Sequence, residues 1–267
     1  MSFGGGLVIG TVGQVKQGKT LYCVRAALKR KLFAYAVAGV DLPVWSNMKS
    51  LVCREKGHPW YGLRWGTPLS TDELLYDLMQ EPEDAHIRNG ILILDELHHL
   101  MSPEFLRGVG GTILGNSVTQ LGKRGLCLIF NTHMPRMIGQ KVWGLTSQRV
   151  HVSTDNHGQS LLVNYRNQQA WNEAYQEGMR FPEDVPGIIF NTWRFRYWYD
   201  ANEPMSPFAL GESVLKTARW KAIGKGFKDK FEAPAAIVSD EIEPAQASSP
   251  SMTQRNGGNR RAREGVY

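Results

Sequence analysis

Apolar positions along the chain fall into short continuous runs separated by amphipathic stretches and by polar turns. Leu7 to Thr11 is apolar and β-branched and stops at a glycine, while Ile91 to Leu94 (ILIL) and Leu126 to Asn131 (LCLIFN) are unbroken apolar runs. Runs this short without alternation predict strands buried on both faces of a parallel sheet. Pro43 to Asn47 (PVWSN) predicts another short strand. Lys19 to Phe33 places Leu21, Val24, Leu28 and Leu32 on one side of a helix. Ser70 to Gln80 predicts a second helix, with Ser70 or Thr71 as its cap and Glu73 in its first turn. A helix is expected from about Asn116 to Lys123. Val150 to Ser153 and Ser160 to Tyr165 predict a hairpin turned at Asn156, His157 and Gly158. Phe190 to Tyr199 (FNTWRFRYWY) predicts one more strand at the sheet edge.

Strands alternating with helices imply a mostly parallel sheet covered on both faces, so the predicted fold is a three-layer α/β/α core. The Gly-, Pro- and Trp-rich stretch between the PVWSN strand and Ser70 reads as an irregular excursion. Three parts are expected along the chain: a main domain over 1–210, a basic extension over 211–232, and a tail over 233–267. That tail is rich in Pro, Ala, Ser, Gln, Gly and Asn, a composition that predicts disorder.

The loop between the first strand and the first helix reads Gly13-Gln14-Val15-Lys16-Gln17-Gly18-Lys19-Thr20, which fits G-x-x-x-x-G-K-[ST] in the context that motif requires. Such a loop, a P-loop, turns successive backbone N–H groups toward phosphate oxygens, and the following helix adds partial positive charge. Lys19 is placed to bridge the β- and γ-phosphates of a nucleoside triphosphate, and Thr20 to put its hydroxyl on Mg²⁺. ATP and Mg²⁺ are the cofactors this predicts. Asp95 and Glu96 follow the ILIL run directly, so both carboxylates emerge at the carboxyl end of a buried strand, where ligands of open α/β sheets bind. Asp95 is the candidate Mg²⁺ ligand and Glu96 the candidate general base for an attacking water. His98 and His99 come next and read as the start of a helix, because no third metal ligand stands at suitable spacing.

Asn131, Thr132 and His133 leave the LCLIFN strand just before Pro135 and are candidates to sense the γ-phosphate; a capped strand-to-loop turn is the other reading of the same residues. Lys123, Arg124 and Arg149 are candidates for a charge given to a neighbouring subunit's nucleotide.

Composition narrows the setting. Of 267 residues, 42% are hydrophobic and 21% charged, which predicts a packed globular protein. No apolar run approaches membrane-spanning length, and the N-terminus lacks the pattern of a signal peptide, so an intracellular address is expected. Cys23, Cys53 and Cys127 fall in no paired spacing, which predicts reduced, mostly buried thiols. The net charge of +6 is compatible with a polyanionic partner, and basic residues crowd the end of the chain from Lys216 to Arg263.

The order of motifs resembles the additional-strand P-loop class of the FtsK/HerA superfamily, which includes viral genome-packaging ATPases and the zonula occludens toxin-like ATPases of filamentous phages. GQVKQGKTLYCV is similar to the toxin-like group's opening, and PVWSNM to its V-x-[TS]-N strand. ILILDELHHL resembles its Walker B element, GLCLIFNTHMP its G-x-x-[ILV]-x-x-x-T-Q-x-P strand, and RYWYDANEP its Y-D-T-x-E closing segment. The resemblance spans about residues 5 to 203. It implies a RecA-like core, a homo-oligomeric ring, and ATP hydrolysis that drives translocation of double- or single-stranded DNA or extrusion of a virion. Two departures stand out: His133 replaces the sensor glutamine, and Gly122 stands where many relatives have arginine. Toxin-like relatives also typically carry a transmembrane helix after the ATPase domain, and the sequence offers no such run. The expected function is therefore a motor that packages a viral genome, with capsid or assembly proteins as partners, in the host cytoplasm or on the virion. A toxin-like phage assembly ATPase and a non-motor nucleotide-dependent switch remain as alternatives.

Overall fold

The computed structural model describes residues 5–100, 116–138 and 140–200. The strands among them are β1 (Val8–Val12), β2 (Val44–Ser46), β3 (Thr67–Pro68), β4 (Ile91–Leu94), β5 (Cys127–Thr132), β6 (Gln148–Thr154), β7 (Leu161–Asn167) and β8 (Val185–Ile189). The helices are α1 (Lys19–Ala38), α2 (Thr71–Leu78), α3 (Leu97–Leu100), α4 (Gln140–Leu145), α5 (Gln168–Glu177) and α6 (Thr192–Phe195), and residues 116–120 are also helical. All the strands join one sheet in the order β3-β2-β4-β5-β1-β6-β7-β8. Pairing is parallel from β3 through β6 and antiparallel from β6 to β8.

The continuous apolar runs are strands with both faces covered, and their side chains sort by the two-residue period. Ile91 and Ile93 of β4, with Cys127 and Ile129 of β5, pack beneath α1 through Leu21, Val24 and Leu28. Leu92, Leu94, Leu128 and Phe130 face the other way, onto Leu74 and Leu78 of α2, Val118, Leu121 and Val142 of α4. Two apolar layers on opposite faces of one sheet make the α/β/α sandwich, as the alternation of elements predicts. Burying each of these Leu and Ile side chains contributes about 2 kcal/mol.

Helix α1 starts at the glycine-rich loop and ends at Gly39, whose φ of 66° is the left-handed geometry that closes a helix. Leu32, expected on its buried stripe, is exposed. Helix α2 starts at Ser70, whose Oγ accepts from the Glu73 N–H at 3.2 Å while the Glu73 carboxylate accepts from the Ser70 N–H at 2.7 Å. This is the reciprocal cap that the sequence predicts. The expected hairpin is β6–β7, with β6 extending past the expected strand at both ends and β7 running from Leu161 to Asn167. Its turn is tied down at Gly158, whose carbonyl accepts from Thr192 Oγ1 at 2.8 Å and from Arg196 at 3.2 Å.

The edge strand differs from expectation. FNTWRFRYWY forms α6 and a 3₁₀ turn (Arg196–Trp198), and the strand is the preceding Val185–Ile189. Asn191, at φ 59°, turns the chain out of the sheet, and the aromatic residues that follow serve tertiary packing rather than a ladder. Trp198 lies edge-on to Trp60 and Trp65 of the irregular excursion, and the Trp65 indole donates to the Trp198 carbonyl at 2.9 Å. The 211–232 extension, the 233–267 tail and residues 107–115 lie outside the described residues. Among the described residues no helix is long and apolar enough to cross a membrane. The three cysteines are free and buried.

Candidate active site at the carboxyl edge of the sheet

Each parallel strand from β2 to β1 delivers polar residues to the same sheet edge: Asn47 after β2, Asp95 and Glu96 after β4, Asn131 to His133 at the end of β5, and the glycine-rich loop after β1. Strand β5 lies between β4 and β1, so Asn131 stands between the acidic pair and the loop.

The loop is shaped by its neighbours. Gly18 takes φ 80°, and a Cβ there would lie 2.5 Å from Leu161 Cδ2. At Gly13 a Cβ would lie 2.3 Å from the Val152 carbonyl oxygen. Only glycine lets the backbone pass this close to β6 and β7. Gln17 fastens the loop from within, its Oε1 accepting from the Thr154 N–H at 2.8 Å and the Thr154 hydroxyl at 3.1 Å. Gln14, Val15 and Lys16 form the exposed tip. Lys19 is buried, and its Nζ donates to the Gln14 carbonyl at 2.8 Å, so the ammonium is held inside the curl of the loop. The N-terminus of α1 lies directly behind it.

Thr20 Oγ1 donates to Asp95 Oδ1 at 2.8 Å, joining the loop to the end of β4. Asn131 Nδ2 donates to the same carboxylate oxygen and lies 3.4 Å from Thr20 Oγ1, while its Oδ1 accepts from the Glu96 N–H at 2.9 Å. Asn47 clasps the Asp95 backbone with two hydrogen bonds of 2.8 Å, one donated to the carbonyl and one accepted from the N–H. Burial raises the Asp95 pKa to about 6, against the opposing pull of the Thr20 and Asn131 hydrogen bonds. A buried carboxylate whose neighbours are a hydroxyl and an amide, with an ammonium nearby, suits a hard divalent cation. The donor set therefore fits Mg²⁺ held by Thr20 and Asp95, with the triphosphate in the loop.

Glu96 sits at φ 49°, a conformation that costs a non-glycine residue of order 1 kcal/mol or more. Its Oε2 lies 2.9 Å from His133 Nδ1 and 3.2 Å from His98 Nδ1. His98 is buried against Thr132, whose Oγ1 is 3.2 Å from the same ring nitrogen. Burial first, then the nearby imidazoles, lowers the His98 pKa to about 4, so the ring is neutral at physiological pH. Thr132 also accepts the Met134 N–H at 3.0 Å, which turns the chain after β5.

The structure brings together Lys19, Thr20, Asp95, Glu96, Asn131, Thr132 and His133. It does not bring Arg124 to them. Arg124 was a candidate for a charge offered to a neighbour, but it is 1% exposed, and its guanidinium binds the Asp77 carboxylate at 3.1 Å and the Asp77, Leu78 and Gln80 carbonyls. Its role is to lock α2 to the segment before β5. Arg149 lies over the Trp143 ring at 4.9 Å. Lys123 is exposed.

Sequence reasoning missed Asn47, the anchoring of the loop through Gln17, and the part played by His98. An asparagine directly after a short strand was the available signal for Asn47. For His98, spacing alone concealed the partner, because His133 comes from another strand end.

Strand order, loop and acidic strand end together define an α/β architecture of the P-loop class. No protein-family model matches the chain, and no curated protein matches it. Solved structures similar to it include the N-terminal domain of zonular occludens toxin from Neisseria meningitidis, at 16% identity and TM-score 0.47 over 73% of this chain and 98% of that one. They also include the flagellar accessory protein FlaH from Methanocaldococcus jannaschii, at 12% identity and TM-score 0.41 over 68% of this chain and 85% of that one.

Proposed function

We propose that the chain is a Mg²⁺-dependent ATPase whose hydrolysis drives movement of DNA, with packaging of a viral genome as the setting. The observation that carries the ATPase reading is the 2.8 Å contact between Thr20 Oγ1 and Asp95 Oδ1, which joins the glycine-rich loop to an acidic strand end where Glu96 follows. In this reading ATP enters the loop and its phosphates take the place of the Gln14 carbonyl as partner of Lys19 Nζ. Mg²⁺, held by Thr20 and Asp95, supplies neutralisation of charge on the β- and γ-phosphate oxygens. Asn131 keeps the Asp95 carboxylate and the Glu96 backbone in fixed relation. Glu96 accepts a proton from the water that attacks the γ-phosphorus, as the bond to the bridging oxygen breaks and ADP leaves. Oε2 is engaged by His98 and His133, so Glu96 reaches that water by giving up at least one imidazole.

The DNA reading rests on the motif resemblance and on the basic balance of the chain, which would contact phosphates without regard to sequence. The charge given to a neighbouring subunit's nucleotide falls to Lys123 or Arg149, since Arg124 is held within the subunit. The test is phosphate release with Mg²⁺·ATP across a series of salt concentrations, with and without double-stranded and single-stranded DNA. Stimulation by DNA that fades as salt rises is the expected result. Hydrolysis indifferent to both DNAs would overturn the motor, and no hydrolysis at all would overturn the ATPase. Pelleting of the chain with protein-free lipid vesicles would favour assembly at a membrane over packaging.

A further inference from the structure

Glu96, His98 and His133 come from two strand ends, yet their ligating atoms converge. His98 Nδ1 and His133 Nδ1 lie 3.2 and 2.9 Å from the one oxygen, Glu96 Oε2, and one ligating atom from each of the three residues falls within 4.8 Å of the others. The two rings stand nearly perpendicular with centroids 4.1 Å apart, so the edge of one meets the face of the other rather than stacking. Ligands about 2.0–2.1 Å from a tetrahedral metal are separated by roughly 3.3 Å, close to the spacing seen here. Backbone geometry holds the arrangement: Glu96 is pinned at positive φ with its N–H on Asn131, and His98 is buried and wedged against Thr132.

We propose that Glu96, His98 and His133 form a binding site for a borderline-soft divalent ion such as Zn²⁺, separate from the Mg²⁺ ligands Thr20 and Asp95. Two imidazoles and one carboxylate select Zn²⁺ over Mg²⁺, which prefers an all-oxygen shell. Each Nδ1 gives its lone pair to the metal with the ring proton on Nε2, and a water completes the shell. Occupation ties the Glu96 carboxylate to the metal and withdraws it from water activation, so the ion acts as an inhibitor. That consequence rests on Glu96 being the general base; the binding itself does not.

The test uses Co²⁺ as a visible probe, added to the full chain without nucleotide. One Co²⁺ per chain is expected, with the intense d–d absorption of a four-coordinate site, displaced by Zn²⁺ and not by excess Mg²⁺. His133→Ala, at a position with a partly exposed side chain, should weaken binding by about tenfold or more while leaving the unfolding midpoint near wild type. His98→Asn, buried, serves as the second variant. Thr20→Ala should leave the Co²⁺ spectrum unchanged. Absence of the four-coordinate spectrum, binding that survives both histidine substitutions, or binding lost in Thr20→Ala would overturn the site. A second readout is inhibition of ATP hydrolysis by Zn²⁺, reversed by chelator. Metal binding without any hydrolysis would leave the site standing and remove the ATPase reading, whereas hydrolysis unaffected by bound Zn²⁺ would remove the inhibitory role.

Discussion

The parallel strands β2, β4, β5 and β1 and the antiparallel wing β6–β7–β8 share one sheet but are built on different rules. In the first region both faces are covered, every residue of β4 and β5 is buried, and polar groups appear only at the carboxyl edge. In the wing, β7 begins with alternating buried and exposed residues, and β8 exposes Val185 and Ile188. The parallel region therefore concentrates its chemistry at one edge. The wing supplies none of the polar side chains that meet Asp95 and Glu96, yet it sets the shape of the loop through Val152, Thr154 and Leu161. A loop that must curl around phosphates needs a wall behind it, and here the wall belongs to the wing.

That division can be broken at three places. Largest is the Arg124–Asp77 lock in the parallel region, where both side chains are fully buried. Arg124→Met leaves the Asp77 carboxylate buried without its cation and should cost about 3–5 kcal/mol in denaturant unfolding. The double variant with Asp77→Leu should recover part of it; no recovery would mean that the carbonyl contacts of Arg124 matter more than the charge. Next is the seam between loop and wing. Gly18→Ala forces a Cβ toward Leu161 at a left-handed φ and should cost about 1–2 kcal/mol of stability. It should also weaken ATP binding measured by equilibrium dialysis, and Leu161→Ala in the same chain should restore part of that affinity. An unchanged affinity in Gly18→Ala would show that the wing does not shape the loop.

Smallest is the ion pair inside the wing, where Arg166 donates twice to Asp184 at 2.8 Å and stacks over Trp171. Arg166 holds the Asp184 carboxyl below its usual range. A depressed carboxyl stabilises the fold when ionised, so its contribution is full above about pH 4–5 and fades as pH falls further. Because the pair is partly solvated, Asp184→Asn should cost under about 1 kcal/mol at neutral pH, flatten that acid dependence, and leave ATP binding unchanged.

What could be read from the sequence follows the same division. Strands buried on both faces announce themselves as ILIL and LCLIFN, and the residues that leave them are candidates by position alone. Ser70 and Glu73 likewise carry their cap in a four-residue pattern. The wing was less legible because its apolar residues answer to tertiary partners: FNTWRFRYWY has the aromatic content of a strand but packs its Trp198 against Trp60 and Trp65. Helix α5, with Ala174 its buried residue, carries few apolar residues to find. Arg124 looked available because a charged residue before a strand is usually solvated, and nothing in the sequence places Asp77 beside it. Asn47 reaches Asp95, and His133 reaches Glu96 and His98, only when separate strand ends are brought side by side.

The central claim is that the edge of the parallel region hydrolyses ATP with Glu96 as base, and one measurement addresses it directly. Phosphate release and nucleotide binding are compared in wild type and Glu96→Gln at saturating Mg²⁺·ATP. The account predicts that the variant binds ATP within about twofold of wild type while turnover falls by about 10²–10⁴-fold. Turnover in Glu96→Gln equal to wild type would contradict it.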